Sequence, residues 1–420
     1  MNKKKLAIWT KHKLNELGFV GRGRSRHRPR NEPTLYSGSY PFFQTGDIKG
    51  ADLYLYKYTQ TYSNKGLAQS KLWKPGTLCI TIAANIAETA ILKVEGCFPD
   101  SVVGFIPDNT KVDVRFIKYY IDTIKNKMQN VSRGTTQDNL SLEKILTFDF
   151  LTPPIPTQQK IAAILSAYDD LIENNTRRIK LLEEMAQAIY REWFVYFRFS
   201  GHESVQMVES ELGPVPEGWK IVKVTDAVNI NPRITLPKEG IKPFLSMGCL
   251  TENTMNVQSI EYREGNSGSK FQNSDTLFAR ITPCLENGKT VFIQFLPTDS
   301  DVGFGSTEFI VLRSKTLTPE FVYLLSRTDS FRDNAIKSMS GATGRQRVQE
   351  ECFEKYFIVH PDTNTLDAFE EIIKPIFKSV YNVALKDEIL RRTRDLLLPK
   401  LIGGEIDVSG LDIRIPEAEA

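Results

Sequence analysis

An internal repeat constrains this chain more than any other feature. Two mixed segments of about 150 residues are each followed by one long amphipathic stretch. Landmarks recur in the same order at offsets between about 199 and 210 residues, as insertions in surface loops would produce. The matched landmarks are Trp9 and Trp219, residues 40–43 and 242–245, residues 76–80 and 275–279, and residues 132–136 and 339–343. Because 420 residues also exceed one ordinary core, the repeat predicts two similar domains.

The two amphipathic stretches carry heptad patterns. Seven-residue spacing of this kind predicts long helices that pair as a coiled coil, and their length favours antiparallel rods that hold the globular halves apart. An alternative is a pair of core helices in ordinary domains. The first seam consists of Ile161, Tyr168, Asn175, Leu182 and Ile189, and the second of Phe369, Ile376, Val383, Leu390 and Leu397.

Prolines and composition place the boundaries of these parts. Pro153, Pro154 and Pro156 prevent an earlier start of the first helix, Pro399 ends the second, and Pro375 predicts a kink or a later start. The predicted organisation is a globular domain at 1–152, a long helix at 153–199, a linker at 200–218, a second globular domain at 219–361, a second long helix at 362–402 and a tail at 403–420.

The globular segments are predicted to be rich in β-strands. Residues 77–82, 90–94, 290–293 and 308–312 are apolar or β-branched runs bounded by turn-forming residues. One helix is predicted before a Gly-Thr loop in each half, at 114–129 and at 319–337. The glycines of these loops, Gly134 and Gly341, are expected to shape turns. The predicted fold class is therefore α+β.

The net charge of +3 hides a strong asymmetry. Residues 1–75 contain ten lysines and five arginines against four acidic residues, which gives this end +11 and leaves −8 for the remainder. A basic end of this strength predicts a polyanionic partner. Five of the positive charges are the arginines of residues 21–30, which alternate with glycine and serine that we interpret as flexible spacers. A solvated charge run without a partner is the alternative.

Tyrosines follow the arginine run. Tyr54, Tyr56, Tyr58 and Tyr62 could stack on bases or sugars, but their spacing favours one face of a half-buried strand.

No motif for catalysis is found. The chain contains no dinucleotide-binding, phosphate-binding or nucleophile-elbow signature. Asp362 with Glu370 and Lys374 is the nearest approach to a nuclease site, and the last two are better explained as an ion pair on a helix surface. Five scattered cysteines without CxxC spacing argue against structural zinc and for a reducing compartment. The absence of a long apolar run predicts a chain without a membrane span or signal peptide.

Four segments resemble the specificity subunits of type I restriction-modification systems. Residues 21–30, with 35–36 and 40–48, resemble a target-recognition domain of that family. Residues 153–161 resemble the opening of its central helix, 212–219 the opening of its second half, and 394–402 the end of its second long helix. The resemblance covers essentially the whole chain.

This resemblance implies an α+β fold with two β-rich target-recognition domains separated by two long antiparallel coiled-coil helices. It implies a non-catalytic, cytoplasmic DNA-binding subunit that recognises a bipartite asymmetric target, with the helices setting the gap. The expected partners are double-stranded DNA, two modification subunits that methylate adenine, and restriction subunits. No cofactor is expected on this chain, whereas S-adenosylmethionine, ATP and Mg are expected on the partner subunits.

The candidate DNA-binding residues lie in the arginine run and in loops where the repeat landmarks meet. Glutamine and asparagine suit adenine, and arginine suits guanine or phosphate. In the first half they are Arg22, Arg24, Arg26, Arg28, Arg30, Gln44, Thr45, Asn85, Thr136, Gln137 and Asn139. In the second half they are Arg233, Ser246, Met247, Arg280, Arg345, Gln346 and Arg347.

Two other functions remain open from the sequence. A stand-alone DNA- or RNA-binding regulator would bind one short site without partners. A coiled-coil scaffold protein would dock proteins through its helices and would show no salt-dependent binding to DNA.

Overall fold

A computed structural model describes residues 9–133, 140–342 and 344–415. The chain forms two compact units: unit 1 comprises residues 1–174 and 387–420, and unit 2 comprises residues 175–386. Each unit has its own strands, whereas two long helices each contribute residues to both units.

Unit 1 is built from short β-strands and helices. Its strands are β1 (Thr10–His12), β2 (Gly18–Arg22), β3 (Tyr36–Phe42), β4 (Tyr54–Leu55), β5 (Gln60–Tyr62), β6 (Leu72–Trp73), β7 (Leu78–Thr81), β8 (Thr89–Leu92), β9 (Gly96–Cys97), β10 (Val102–Pro107) and β11 (Phe150–Thr152). Its helices are α1 (Thr45–Lys49), α2 (Asn64–Ala68), α3 (Val114–Arg133), α4 (Leu142–Ile145) and the first half of α5 (Ile155–Phe194).

Unit 2 holds the remaining elements except the end of the last helix. Its strands are β12 (Met207–Val208), β13 (Val215–Pro216), β14 (Lys220–Lys223), β15 (Val228–Ile230), β16 (Lys242–Leu245), β17 (Glu261–Arg263), β18 (Ser269–Phe271), β19 (Thr276–Ala279), β20 (Thr290–Phe292), β21 (Gly303–Gly305), β22 (Phe309–Ser314) and β23 (Phe357–His360). Its helices are the second half of α5, α6 (Val224–Ala227), α7 (Pro319–Ser326), α8 (Asp329–Lys337) and the first part of α9 (Thr363–Ile402), whose last part belongs to unit 1.

The two units repeat the same sheet topology, which confirms the internal repeat and the α+β class. The larger sheet has the order β2-β10-β7-β8-β4 in unit 1 and β15-β22-β19-β20 in unit 2. The smaller sheet has the order β5-β3-β9-β6 in unit 1 and β17-β16-β21-β18 in unit 2. In each smaller sheet the two central strands are parallel and the outer strands are antiparallel to them. One further antiparallel pair, β1–β11 or β14–β23, precedes each long helix.

The long helices α5 and α9 are 40 residues each and are more than spacer rods. Ile161 and Leu165 of α5 are buried in the core of unit 1 together with Leu401 and Ile402 of α9. In the core of unit 2, the opposite halves of the helices contribute Tyr190, Trp193 and Phe194 from α5 and Phe369, Ile373 and Phe377 from α9. The alternative of core helices is therefore correct for the ends of both helices.

Pro375 does not mark the start of the second helix. Helix α9 begins at Thr363 and continues through Pro375, which is exposed. Its first turn is capped by Asp362, whose carboxylate accepts a hydrogen bond from the backbone N–H of Thr365 at 3.1 Å. The same carboxylate accepts the indole N–H of Trp219 at 3.0 Å. Asp362 is thus a structural residue, and Lys374 pairs with Glu370 at 2.7 Å on the helix surface as predicted.

Two local predictions were wrong. The helix predicted at 319–337 is two helices, because Thr328 caps α8 by accepting the backbone N–H of Phe331. The tyrosines from Tyr54 to Tyr62 do not share one strand, since β4 ends at Leu55 and pairs with β8, whereas β5 pairs with β3. Tyr62 is fully buried against Phe42, with ring centroids 4.0 Å apart.

A buried ion pair ties α9 to α5 within unit 1. The Arg394 guanidinium donates to the Asp169 carboxylate at 2.6 Å, and the hydroxyl of Tyr119 on α3 donates to the same carboxylate at 2.5 Å. Burial alone would lower the pKa of Arg394, but Asp169 and Asp395 raise it above the ordinary value. Removing one partner of such a pair leaves an uncompensated buried charge.

Replacement of Arg394 by leucine is expected to lower the free energy of unfolding by about 3 kcal/mol, because Asp169 would remain buried and charged. Denaturant unfolding of the full chain, followed by tryptophan fluorescence, measures this. Glu184→Gln is the control, because its partner Lys180 lies 3.7 Å away on the exposed helix surface, and the expected loss is below about 1 kcal/mol. Equal losses in the two variants would contradict the assignment.

A buried carboxylate of α5 binds the loop between β16 and β17 of unit 2. Glu183 is 8% exposed, and it accepts hydrogen bonds from the Met255 backbone N–H at 2.6 Å and from the Thr254 hydroxyl at 3.1 Å. Burial raises the pKa of Glu183 above its ordinary value of 4.5, although these hydrogen bonds and the charge of Arg327 oppose the shift. The folded protein therefore binds this proton more tightly than the unfolded chain, and stability falls as pH rises through the interval above 4.5.

Glu183→Gln is expected to raise the melting temperature at neutral pH, because the amide oxygen keeps an acceptor for Met255 without a buried charge. The difference from the wild-type chain should shrink as pH falls from neutral to below 4.5, where the carboxyl becomes protonated in both states. Melting temperatures across this range test the prediction. A constant difference at all pH values would assign the effect to packing instead of ionisation.

Candidate nucleic-acid interface

The five arginines of residues 21–30 are all exposed but are not equivalent. Arg22 donates to the carbonyl of Asp100 at 2.7 Å, and Arg30 donates to both carboxylate oxygens of Asp100 at 2.8 and 2.9 Å. Arg28 donates to two nearby carbonyl oxygens. In the part of the chain that the structure describes, the guanidinium groups of Arg24 and Arg26 make no hydrogen bond or ion pair. These two are the cations available to an external anion.

The main chain around Arg24 is held in place, so the glycines beside it are not flexible spacers. The backbone N–H of Arg24 donates to the Phe98 carbonyl at 3.0 Å, and its carbonyl accepts the Ser70 hydroxyl at 2.8 Å. A Cβ on Gly23 would collide with the carbonyl oxygens of Phe98 and Pro99. Glycine is required here for close approach of two backbone segments, and the flexible-spacer interpretation is wrong.

A lysine and two aromatic rings lie next to this segment. The Lys71 ammonium is 3.7 Å from the ring centroid of Trp73 and 4.6 Å from that of Phe19, which is 54% exposed. Burial and the charge of Arg24 lower the pKa of Lys71. No acidic side chain pairs with Lys71 in the described ranges, so Arg24 and Lys71 form a local excess of positive charge.

The remaining candidates of the first half are dispersed. Gln44 precedes α1, and its side-chain amide donates to the Gln60 side chain at 2.7 Å. Thr45 is the first residue of α1 and is half-buried, and Asn85 lies in the loop between β7 and β8, where its carbonyl accepts the Thr81 hydroxyl. Thr136, Gln137 and Asn139 lie outside the described residues, as does Gly134.

Strand register places several of these residues at one end of the smaller sheet of unit 1. Gln60 is opposite Phe42, the last residue of β3, and Gln44 follows two residues later. Cys97 pairs with Phe42 on one side and with Leu72 on the other. Lys71 precedes Leu72, and the backbone N–H of Arg24 donates to the carbonyl of Phe98, the residue after Cys97. Both cations therefore lie at the same end of the sheet as the glutamine pair.

The equivalent end of the smaller sheet in unit 2 carries a hydroxyl–carboxylate pair. Ser246 follows β16 and donates to the Glu261 carboxylate at 2.7 Å, and Cys249 donates to the same oxygen at 3.4 Å. These two hydrogen bonds are the main causes that lower the pKa of Glu261. Its second oxygen accepts from Arg263, whose guanidinium lies 4.1 Å from the centroid of the Phe244 ring. The Met247 carbonyl accepts a hydrogen bond from the Lys289 ammonium at 3.1 Å.

Two other candidates of unit 2, Arg347 and Arg280, both contact Glu308. The Arg347 side chain pairs with the Glu308 carboxylate at 2.6 Å, which raises the pKa of Arg347. Arg280 donates to Glu350 at 2.7 Å, and its backbone N–H binds the Glu308 carbonyl at 3.0 Å. Of the remaining three candidates, Gln346 is half-buried. Arg345 and Arg233 are exposed, and their side chains make no hydrogen bond within the described part of the chain.

Gly341 has the positive φ of +124° expected of a turn-forming glycine. In this conformation a residue with a side chain would be strained. The interpretation of Gly341 as a turn residue is therefore confirmed.

Four residues of these surfaces were not singled out from the sequence. Gln60, Lys71 and Asp100 in unit 1 and Glu261 in unit 2 complete the contacts described above. The repeat itself carries the missing signal for two of them, because Gln60 and Glu261 are separated by 201 residues and fall within the offset of the neighbouring landmarks.

Across 9–133, 140–342 and 344–415, no group of three His, Cys, Asp or Glu side chains is arranged to hold a metal ion. No helix within these ranges is long and apolar enough to span a membrane. The five cysteines are unpaired thiols.

Known proteins are similar to this chain in sequence. Residues 8–184 match the family model described as the type I restriction modification DNA specificity domain. The chain is 23% identical to the MjaIX specificity subunit of Methanocaldococcus jannaschii over 96% of this chain and 94% of that protein. It is 22% identical to the HindI specificity subunit of Haemophilus influenzae over 67% of this chain and 74% of that protein.

A solved structure shares the fold. The type I restriction-modification S subunit from M. genitalium aligns with a TM-score of 0.58 at 13% identity, covering 94% of this chain and 96% of that one. The repeated sheets and the two 40-residue helices thus have a counterpart among solved structures. The chain therefore carries a type I restriction modification DNA specificity domain at residues 8–184 and is similar over nearly its whole length to a type I specificity subunit.

Proposed function

We propose that this chain is the DNA-specificity subunit of a type I restriction-modification complex, which recognises a bipartite asymmetric target and positions the methyltransferase and restriction subunits on it. The observation that carries the proposal is the presence of one recognition unit twice in a single chain, with the same sheets and different polar side chains at equivalent places. Two similar but unequal units suit a target with two unequal half-sites.

The chemistry belongs to partner subunits in this proposal. The chain supplies specificity, whereas the partners bind S-adenosylmethionine for adenine methylation and ATP with Mg for translocation and cleavage. The complex acts in the cytoplasm, where its DNA substrate lies. A stand-alone regulator would not require the second recognition unit.

The long helices are the proposed docking surface for the modification subunits. Each carries large apolar side chains that neither unit buries, including Leu181 and Met185 of α5, each 52% exposed, and Ile389 and Leu396 of α9, 65% and 60% exposed. Leu181 and Met185 are one helical turn apart and Ile389 and Leu396 are about two turns apart, so each pair shares a face of its own helix. Exposed apolar patches typically mark protein interfaces. In the proposed complex these side chains are covered by partner subunits.

Sequencing of adenine methylation in a host that expresses this chain with its methyltransferase subunits tests the function. We expect a new methylated motif with two defined blocks and a fixed undefined gap. The control is the same host lacking only this chain. Intact methyltransferase subunits that produce no new motif would contradict the proposal and favour the regulator or scaffold.

The free arginines predict which charges bind phosphate. Replacement of both Arg24 and Arg26 by alanine in the assembled complex should weaken DNA binding and reduce the slope of log K against log salt by roughly 2, because each phosphate contact contributes about 0.9. Titrations at several salt concentrations measure this slope. Arg30→Ala is the comparison, since Arg30 is already paired with Asp100, and its slope should change little. A larger change for Arg30 would reverse the assignment.

A further inference from the structure

We infer that each unit reads a base pair through the polar side chains at one end of its smaller sheet: Gln44 with Gln60 in unit 1, and Glu261 with Arg263 in unit 2. This inference rests on the proposed function and names the specificity-determining residues within it. The two sets differ in chemistry, and they assign an A·T pair to the first half-site and a G·C pair to the second.

The two sets occupy equivalent positions in the repeat. Gln60 lies opposite Phe42 in the β3–β5 pair, and Glu261 lies opposite Phe244 in the β16–β17 pair. A residue two positions beyond the paired phenylalanine then contacts each of them: Gln44 reaches Gln60, and Ser246 reaches Glu261. One scaffold thus presents a different polar group at the same point in each unit.

The glutamine pair leaves a donor and an acceptor free. Gln44 donates from Nε2 to Oε1 of Gln60 at 2.7 Å. Oε1 of Gln44 takes part in the capping box of α1 and keeps a second lone pair, and Nε2 of Gln60 donates no hydrogen bond within the described residues. Both residues are exposed. An adjacent acceptor and donor complement the N6 amino group and N7 of adenine in the major groove.

The surroundings of the glutamine pair suit nucleic acid. Arg24 and Lys71 lie at the same end of this four-stranded sheet and have no acidic partner in the described part of the chain. Neighbouring strands in a sheet are about 4.8 Å apart, so its two edges are roughly 14 Å apart. Cations that bind phosphates and amides that read bases can therefore contact the same stretch of duplex.

The pair in unit 2 has a different hydrogen-bonding capacity. Ser246 and Cys249 donate to one oxygen of Glu261 and Arg263 donates to the other, so the carboxylate is held in place and can only accept. The Arg263 guanidinium is oriented over the Phe244 ring. A carboxylate accepts from N4 of cytosine and a guanidinium donates to O6 and N7 of guanine, so together they complement a G·C pair.

The experiment uses the full chain assembled with its methyltransferase subunits and reads the methylated motif by sequencing. The double variant Gln44→Ala/Gln60→Ala should reduce the preference for adenine at one position of the first half-site by on the order of ten- to a hundredfold, with the second half-site unchanged. Glu261→Gln should relax one G·C position of the second half-site and leave the first unchanged.

A matched control tests position instead of residue type. Asn64 is an exposed amide at the start of α2, two residues after Tyr62, which is the end of β5 away from Gln60. Asn64→Ala should leave both half-sites unchanged. An unchanged motif in the glutamine double variant, or a change in the wrong half-site, would overturn the inference.

Gln60→Glu distinguishes a lost reader from a misfolded unit, because it retains the size of the side chain. This substitution removes the free donor. Adenine should then lose its advantage over cytosine, because a carboxylate accepts a hydrogen bond from N4 of cytosine. If the alanine variant lowers the melting temperature of the complex, the Gln60→Glu result decides. Loss of all methylation by a folded complex contradicts base reading at this pair. Failure of the proposed function gives a different result from failure of this inference, because even the wild-type chain would then produce no bipartite motif.

Discussion

The structure depends on the burial of helix ends within β-rich units. The sheets of each unit leave an apolar face that one half of α5 and one half of α9 cover, with Leu165 and Leu401 in unit 1 and Tyr190 and Phe369 in unit 2. The hydrophobic stabilisation of these side chains, about 1.5–3 kcal/mol for each one fully buried, fixes the helices to the units. Polar anchors add direction, because Asp169 and Glu183 each accept two hydrogen bonds at a defined point along α5.

The basic end of the chain uses its charges in two ways. Arg22 and Arg30 stabilise the loop through Asp100, whereas Arg24 and Lys71 remain close together without a compensating acid. Holding two cations together costs free energy that an external anion recovers when it binds. The uncompensated pair is consequently the part of this surface that is best suited to a phosphate backbone.

The repeat, the fold class and the long helices could be predicted from sequence because they arise from periodic and duplicated patterns. The roles of individual arginines could not, since they depend on Asp100, which is 70 residues from Arg30 in the chain. Nor could the packing of Gly23 against Phe98, which requires two segments to approach in three dimensions. The break between α7 and α8 was missed because a threonine cap competes with an otherwise continuous apolar pattern.

Unit 1 is discontinuous in sequence, and this has a consequence for its synthesis. Its core includes Leu401, Ile402 and Val408, which are made after every residue of unit 2. Because domains fold as their residues leave the ribosome, unit 2 can complete its core while the sheets of unit 1 still lack one wall. The N-terminal half of the protein is thus the last to close, and its apolar surface is exposed to chaperones for longer than that of the half made after it.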